Sequence, residues 1–408
     1  MRSLVLLLAG MLAMPARADD ALPAPLRLKD VAALARAHRS EIAAARARVR
    51  AAKQRPAIVS ALEDPTISVS ADHVPFNGMG WDRSATIEQT FPLSRVRGHR
   101  ERAAAAAANR EAANVERVER TVELGAVEAF WMLAEVRALA QITEQQHVLV
   151  EQLVAAATAR YASTTGTQGD VLRAETERAR LAAERRATIA DQRGAEVMLN
   201  TSLARAADAP IPALDLGALD AEPPSTESVA RSSRTRPELR AGLAEIEQAE
   251  AEVRVMRSMY APMAMVRAGV ADTMMEGPGW MVMIGISIPL WRDKLRAGVA
   301  EAKAMAEMAT EDVAAMRRMA EGEARALREA VVAARERHRA LRDDIVPRAE
   351  QAIAPTLAAY SAGQVPLVSV LEAARMLWSS RRELVMARTE LGLAWARLRR
   401  AAGEEVSP

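Results

Sequence analysis

The sequence predicts a mainly helical chain with a small β part, arranged as two similar halves of long antiparallel helices. Three observations carry this expectation. Ala, Arg, Glu, Leu and Met dominate while aromatic residues make up only 3% of the 408 residues, the composition of long helices and coiled coils. Proline is absent between Pro92 and Pro210 and again between Pro289 and Pro347, and a proline-free stretch of alternating apolar and charged residues reads as helix. Finally, sequence landmarks of the first half return in the second at a nearly fixed offset.

The N-terminus is read first. Arg2, the apolar run from Leu4 to Met14 and Ala16-Arg17-Ala18 form a basic start, an apolar core and a small-x-small end, so residues 1–18 are expected to be a cleaved export signal. No later segment approaches the roughly twenty apolar residues that a spanning helix needs. If the exported chain enters a membrane, it must do so as part of a closed β-barrel, since only helices and closed barrels satisfy every backbone polar group in lipid.

Each long helix is preceded by strand-like alternation. Ile67, Val69 and Ala71 alternate with Ser68, Ser70 and Asp72, and Ala85, Ile87 and Phe91 alternate with Thr86, Glu88 and Thr90. The turn-rich Pro75-Phe76-Asn77-Gly78-Met79-Gly80 lies between them. The second half repeats the design. Val266, Ala268 and Val270 alternate with Met265, Arg267 and Gly269; after Glu276-Gly277-Pro278-Gly279, Trp280, Val282, Ile284, Ile286 and Ile288 alternate with Met281, Met283, Gly285 and Ser287. A helix from Ser94 to about Ser163 follows the first pair and would be about 105 Å long at about 1.5 Å per residue.

The recurrence reads as an internal repeat. Glu41 and Glu238 stand 197 positions apart, as do Pro92 and Pro289, while Tyr161 and Tyr360, and Leu172 and Leu371, stand 199 apart. The expected division is a first repeat over 19–208, a proline-rich linker over 209–227, a second repeat over 228–403 and a tail over 404–408. Each repeat reads helix, strand, loop, strand, long helix, tight turn, long helix.

Charge and composition exclude several function classes. The formal net charge is +2, and basic and acidic residues alternate, so no basic block points to nucleic acid. No serine nucleophile elbow, catalytic carboxylate pair or cofactor loop is present, and no enzymatic activity or cofactor is expected. His38, His73, His99, His147 and His338 fall in no metal-ligand spacing. Met263, Met265, Met274, Met275, Met281 and Met283 admit two readings, soft ligands for copper(I) or silver(I) or adaptable apolar filler. With zero cysteines, an exported chain of this size must be held by packing and assembly.

Over nearly its whole length after the leader the sequence resembles the TolC family of outer-membrane efflux proteins. The resemblance rests on Arg236-Pro237-Glu238-Leu239, on Ile286-Ser287-Ile288-Pro289-Leu290, and on Tyr360-Ser361-Ala362-Gly363 followed by Val370-Leu371-Glu372-Ala373. It implies a homotrimer in which each subunit gives four strands to one twelve-stranded outer-membrane barrel and its helical hairpins to a periplasmic α-barrel. It further implies a periplasmic adaptor and an inner-membrane pump as partners. Met259 to Met283 and Val346-Pro347-Arg348-Ala349-Glu350 resemble the branch that serves resistance-nodulation-division pumps, including heavy-metal exporters. A periplasmic adaptor or a soluble coiled-coil scaffold is the competing reading; adaptors carry one hairpin where this chain has two.

Functional positions follow from the resemblance and the alternation together. The turns at Gly166 and Gly169 and at Gly363 are expected at the periplasmic tip. The family's acidic constriction falls on Ser369 and Glu372, with Asp170 and Arg173 as first-half equivalents; only Glu372 keeps the acid, and Arg173 is a candidate partner for Asp170 or Glu372. The plainer alternative is a set of solvated charges at helix ends. On the last strand, Val282, Ile284 and Ile286 are expected to face lipid and Met283, Gly285 and Ser287 the lumen. Trp280, Trp291, Phe76 and Trp81 are candidate interfacial aromatics.

Overall fold

The computed structural model describes residues 22–72 and 81–404. The expected export signal, most of the expected tail, His73 and the loop carrying Phe76 lie outside the described residues. Helices α1 (Leu28–His38), α2 (Ser40–Ala52) and α3 (Arg55–Ser60) follow the short strand β1 (Leu26–Arg27). The hairpin β2 (Thr66–Asp72) and β3 (Asp82–Pro92) leads into α4 (Val96–Ala162), and α5 (Gln168–Ser202) returns alongside it. Next come β4 (Leu214–Asp215), α6 (Thr226–Ser232), α7 (Pro237–Ser258) and the hairpin β5 (Met263–Thr273) and β6 (Gly277–Ser287). The last column is α8 (Arg292–Ala340), α9 (Val346–Ser361) and the returning α10 (Leu367–Ala402).

Helix α4 runs 67 residues without a break, about 100 Å at about 1.5 Å per residue. Its side chains explain how so polar a sequence stays helical. A run of alanines, Ala103 to Ala108, follows its first two turns and is partly buried, and its larger apolar residues are buried in two separate patches, one around Phe130 and Trp131 and one around Leu153 and Val154. Helices this long are held by tertiary packing along a stripe, not by propensity alone.

The second column departs from the proline rule. It continues past Pro347, through a single widened turn at Leu341–Ile345 in which the Val346 N–H donates to the Leu341 carbonyl five residues back. Such a π turn shifts the hydrogen-bond register and lets Pro347 enter in the first turn of α9, where its missing N–H costs little. Pro355 stands inside α9. Proline absence located this column; proline presence did not end it.

The segment expected as a plain linker is structured. Leu214 and Asp215 of β4 pair in parallel with Leu26 and Arg27 of β1, and Ile211, Leu214, Leu216 and Leu219 pack against the main core, and α6 already begins at Thr226. That core joins Leu26, Val31 and Ala35 to Phe130, Trp131 and Leu133 of α4, Leu199 of α5 and Ala396 of α10. Trp131 is 1% exposed and lies flat against Gly392, where a Cβ would come within 2.3 Å of the indole. The close approach of α10 to α4 needs a residue without a side chain at that position.

The matched motifs at 39–42 and 236–239 do the same local work. Arg39 pairs with Glu41, while Arg236 lies 3.6 Å from Glu238 and 2.6 Å from Glu323. Ile42 and Leu239 are buried just behind each pair. Pro237 stands in the first turn of α7, where the fixed φ of proline suits helix entry.

Candidate functional site

Two regions carry the geometry relevant to transport, the sheet and the far end of the helical hairpins. The sheet has the order β2-β3-β5-β6, antiparallel throughout. Its register aligns the alternating positions into rows. Ile67 stands opposite Ile87, Ile87 opposite Ala268 and Ala268 opposite Val282; Val69, Ala85, Val270 and Trp280 form the next row, and Phe91, Ala264 and Ile286 another. Because alternate residues of a strand point to opposite sides, these rows share one mainly apolar face, which Gln89 interrupts between Ile87 and Phe91 and which gives way at its loop end to Arg83 paired with Asp272. Ile67, Val69, Ile284 and Ile286 are 74, 81, 74 and 63% exposed on it, an unusual cost for a chain in water.

The opposite face is polar and small. Ser68, Thr86, Gly269 and Met281 form one of its rows and Ser70, Ser84, Ala271 and Gly279 another, with the Ser70 and Ser84 hydroxyls 2.8 Å apart. Arg267 donates through Nε to Glu88 at 2.7 Å across the β3–β5 pair. This ion pair was hidden in the sequence because its partners are separated by 179 positions. Gly269 is required by contact: a Cβ there would lie 2.2 Å from the Ala85 carbonyl oxygen. Met265, Met281 and Met283 share this face; Met265 reaches over Gly285, filling the space a side chain would take, which is the filler role. Met274 and Met275 sit in the turn between β5 and β6. Among the described residues no group of three His, Asp or Glu side chains is arranged to hold a metal.

At the other end, the two hairpins turn together. Helix α9 closes with the Gly363 N–H donating to the Tyr360 carbonyl and the Gln364 N–H to the Ala359 carbonyl, with Gly363 at φ 76°. Helix α4 closes the same way, Thr164 to Tyr161 and Thr165 to Arg160, and here the left-handed residue is Thr164, at φ 60°. Both are Schellman caps. At Gly166 a Cβ would lie 3.0 Å from Arg160 Cβ, whereas at Gly169 it would meet only the Thr167 hydroxyl oxygen, at an ordinary 3.7 Å. Arg160 joins the two turns. Its guanidinium lies 4.6 Å over the Tyr360 ring, and it donates to the Tyr360 carbonyl and to the Thr165 carbonyl, the latter at 3.2 Å. Tyr360, Leu367, Val370 and Leu371 pack with Leu153, Val154 and Leu181 beneath.

The expected gate residues lie within the first turns beyond these caps. Asp170 accepts from the Thr167 hydroxyl at 2.9 Å, and its own N–H donates to that hydroxyl oxygen at 3.2 Å. Arg173 stands 3.8 Å from Asp170, one helical turn on. Glu372 is exposed and Ser369 half-buried on α10, and no ion pair joins either to Asp170 or Arg173 among the described residues. Deeper in, an ion-pair ladder that sequence reasoning missed ties α5 to α10. Glu177 accepts from Arg375 at 2.9 Å and from Arg180 at 2.7 Å. One heptad further, Arg382 pairs with Glu184 and donates to Gln146 at 2.8 Å. Burial alone would raise the Glu177 carboxyl, but the bonds from Arg375 and Arg180 outweigh it and hold it below the usual carboxylate range.

A subunit with paired long helical hairpins and a four-stranded sheet, apolar on one face and polar on the other, has the fold of outer-membrane channels. Residues 230–404 match the family model described as outer membrane efflux protein. That match is confined to the second half of the chain. Among solved structures, the outer-membrane channel OprN matches with a TM-score of 0.80 at 17% identity, over 93% of this chain and 91% of that one. CusC, solved in conformations accompanying folding and transmembrane channel formation, matches with a TM-score of 0.81 at 14% identity, over 92% of each chain. The outer membrane protein VceC of Vibrio cholerae matches with a TM-score of 0.76 at 17% identity, over 93% of this chain and 97% of that one. No curated protein sequence matches significantly.

Proposed function

We propose that this chain is the outer-membrane channel subunit of an efflux system, passively conducting substrates delivered by an inner-membrane pump through a periplasmic adaptor. The observation that carries the reading is the sheet. Its edge strands β2 and β6 are unpaired within the described chain, and its apolar face is exposed across all four strands. In lipid an open edge is untenable, so the sheet must close with further copies. Three copies of four strands make the twelve-stranded barrel implied by the TolC resemblance, with the helical hairpins extending into the periplasm and 1–18 acting as the export signal. The two-repeat organisation is supported by the matched hairpins β2–β3 and β5–β6. A periplasmic adaptor or a coiled-coil scaffold would leave the apolar face without a purpose.

The resemblance to the branch serving resistance-nodulation-division pumps makes such a pump the proposed partner, with heavy-metal ions among the candidate cargoes. Asp170, Arg173, Ser369 and Glu372 are proposed to line the periplasmic constriction, and Val282, Ile284 and Ile286 to face outer-membrane lipid. Cell fractionation followed by light scattering of the detergent-extracted protein tests the reading. A trimer extracted from the outer membrane is expected; a chain released with the soluble periplasm would overturn it.

A further inference from the structure

Where the sheet meets the helices, the apolar face ends abruptly in positive charge, and it does so twice. The apolar alternation of β3 runs on through Leu93, 58% exposed, and two residues later comes Arg95. That of β6 runs on through Ile288 and Leu290, 62 and 75% exposed, and two residues later comes Arg292. The pairs Leu93 with Arg95 and Leu290 with Arg292 are 197 positions apart, so the boundary is a property of both halves. Arg97 and Lys294, both exposed, follow two positions further on, with the exposed Asp293 between Arg292 and Lys294.

These cations lack carboxylate partners. No ion pair reaches Arg95, Arg97, Arg292 or Lys294 among the described residues; Arg97 donates to the Ser60 carbonyl at 2.6 Å, and Arg292 lies 5.8 Å from the Tyr260 ring. The acids at the same level are Glu63, Asp64 and Asp293, of which Asp293 is already paired with Arg296. Burial lowers the nearby His99 imidazole, and the guanidiniums of Arg102, Arg254 and Arg95 lower it further. Trp291, 80% exposed, stands between Leu290 and Arg292, in the position where an indole favours the headgroup level of a bilayer.

We propose that Arg95 and Arg292 form an anionic-lipid site, binding the headgroup phosphates of acidic glycerophospholipids in the leaflet nearest the helices. This inference rests on the outer-membrane reading and specifies which lipid the barrel rim selects. Exposed leucines anchor the acyl ends while the guanidiniums, each a fork of donors, take the phosphate oxygens. In a closed assembly the site repeats around the whole rim and fixes the depth at which the barrel sits.

The test is native mass spectrometry of the detergent-extracted full-length assembly, offered phosphatidylglycerol or phosphatidylcholine of identical acyl composition. The native assembly is expected to retain phosphatidylglycerol preferentially. Each cation at a membrane surface contributes about five-fold in preference, so R95Q/R292Q should reduce it by about twenty-five-fold. R186Q, which removes an exposed arginine on α5 far from the sheet, should leave it unchanged. Equal loss in R186Q, or retained preference in R95Q/R292Q with the protein still extracted from the outer membrane, would overturn the site alone. Recovery of the native chain from the soluble periplasm would overturn the channel reading and the lipid site together.

Discussion

Glu177 of α5 is gripped from two sides, by Arg180 one turn along its own helix and by Arg375 of α10, with only 8% of its side chain exposed. Arg382 and Glu184 repeat the contact seven residues further along both helices. The heptad spacing keeps both pairs on one seam, as in a coiled coil, and it ties α5 to α10 near the proposed constriction.

Breaking that seam should loosen the end of the hairpins far from the sheet. Replacing Glu177 by alanine leaves Arg180 and Arg375 facing each other without their shared acceptor, and a partly buried pair of this kind is worth about 1–2 kcal/mol once its exposed arginines are discounted. Planar-bilayer recordings of Glu177→Ala are expected to show higher conductance than the native assembly. The pair also sets a pH dependence. Because the folded carboxyl is held below its ordinary value of 4.5, its stabilisation is fully present above about pH 5 and is lost as pH falls through the lowered value. Conductance should therefore rise on acidification below about pH 4.5 in the native assembly and change less in Glu177→Ala; equal responses would remove Glu177 from the lock.

The left-handed Thr164 predicts a gain of stability. A β-branched residue at φ 60° is strained by about 1–2 kcal/mol, and glycine there relieves the strain while adding about 0.5–1 kcal/mol of unfolded-state entropy. Thr164→Gly should stabilise the turn by up to about 1 kcal/mol, measured as slower amide exchange at Thr165 and Gly166. Faster exchange would mean that the threonine side chain restricts the unfolded turn by more than the native strain costs.

Much of this was legible in the sequence, and the reason is physical. Period-two alternation placed Ile67, Ile87, Val282 and Ile284 on the strand positions whose register now aligns them, because a half-apolar strand has no other way to satisfy its two sides. The offset of 197 positions between Pro92 and Pro289 marked both strand-to-helix junctions. Illegible were the pairs far apart in sequence, Glu88 with Arg267, Glu177 with Arg375 and Arg160 with Tyr360, since a charge run looks the same whether solvated or paired. The left-handed backbone of the first turn was also illegible, because it belongs to Thr164 and not to a glycine. The π turn before Pro347 carries no sequence signal beyond the proline it accommodates.

The face assignment of the sheet predicts an asymmetry between neighbours on β6. Arginine at Ile284 would place a charge opposite Val266 and between Val282 and Ile286 on the apolar face, at a cost of about 2–4 kcal/mol near the membrane midplane. Arginine at Ser287, on the polar face, should be tolerated. Outer-membrane yield of the assembled protein measures the difference, and greater impairment by Ser287→Arg would reverse the assignment.

Charge at the constriction makes a separate expectation. Glu372 is exposed and has no ion pair among the described residues, whereas Asp170 is tied to Thr167 and lies beside Arg173. Three copies of Glu372 around a narrow aqueous pore would attract cations. Glu372→Gln should therefore reduce cation selectivity, read from reversal potentials in a salt gradient, more than Asp170→Asn does.

The central claim is that this chain assembles a water-filled channel through a lipid bilayer, and single-channel recording tests it most directly. Detergent-extracted native assembly and the lock-broken Glu177→Ala, each added to a planar bilayer, are expected to give discrete conductance steps, larger in the variant. A bilayer that stays silent with both, from protein whose assembled mass is intact, would contradict the account.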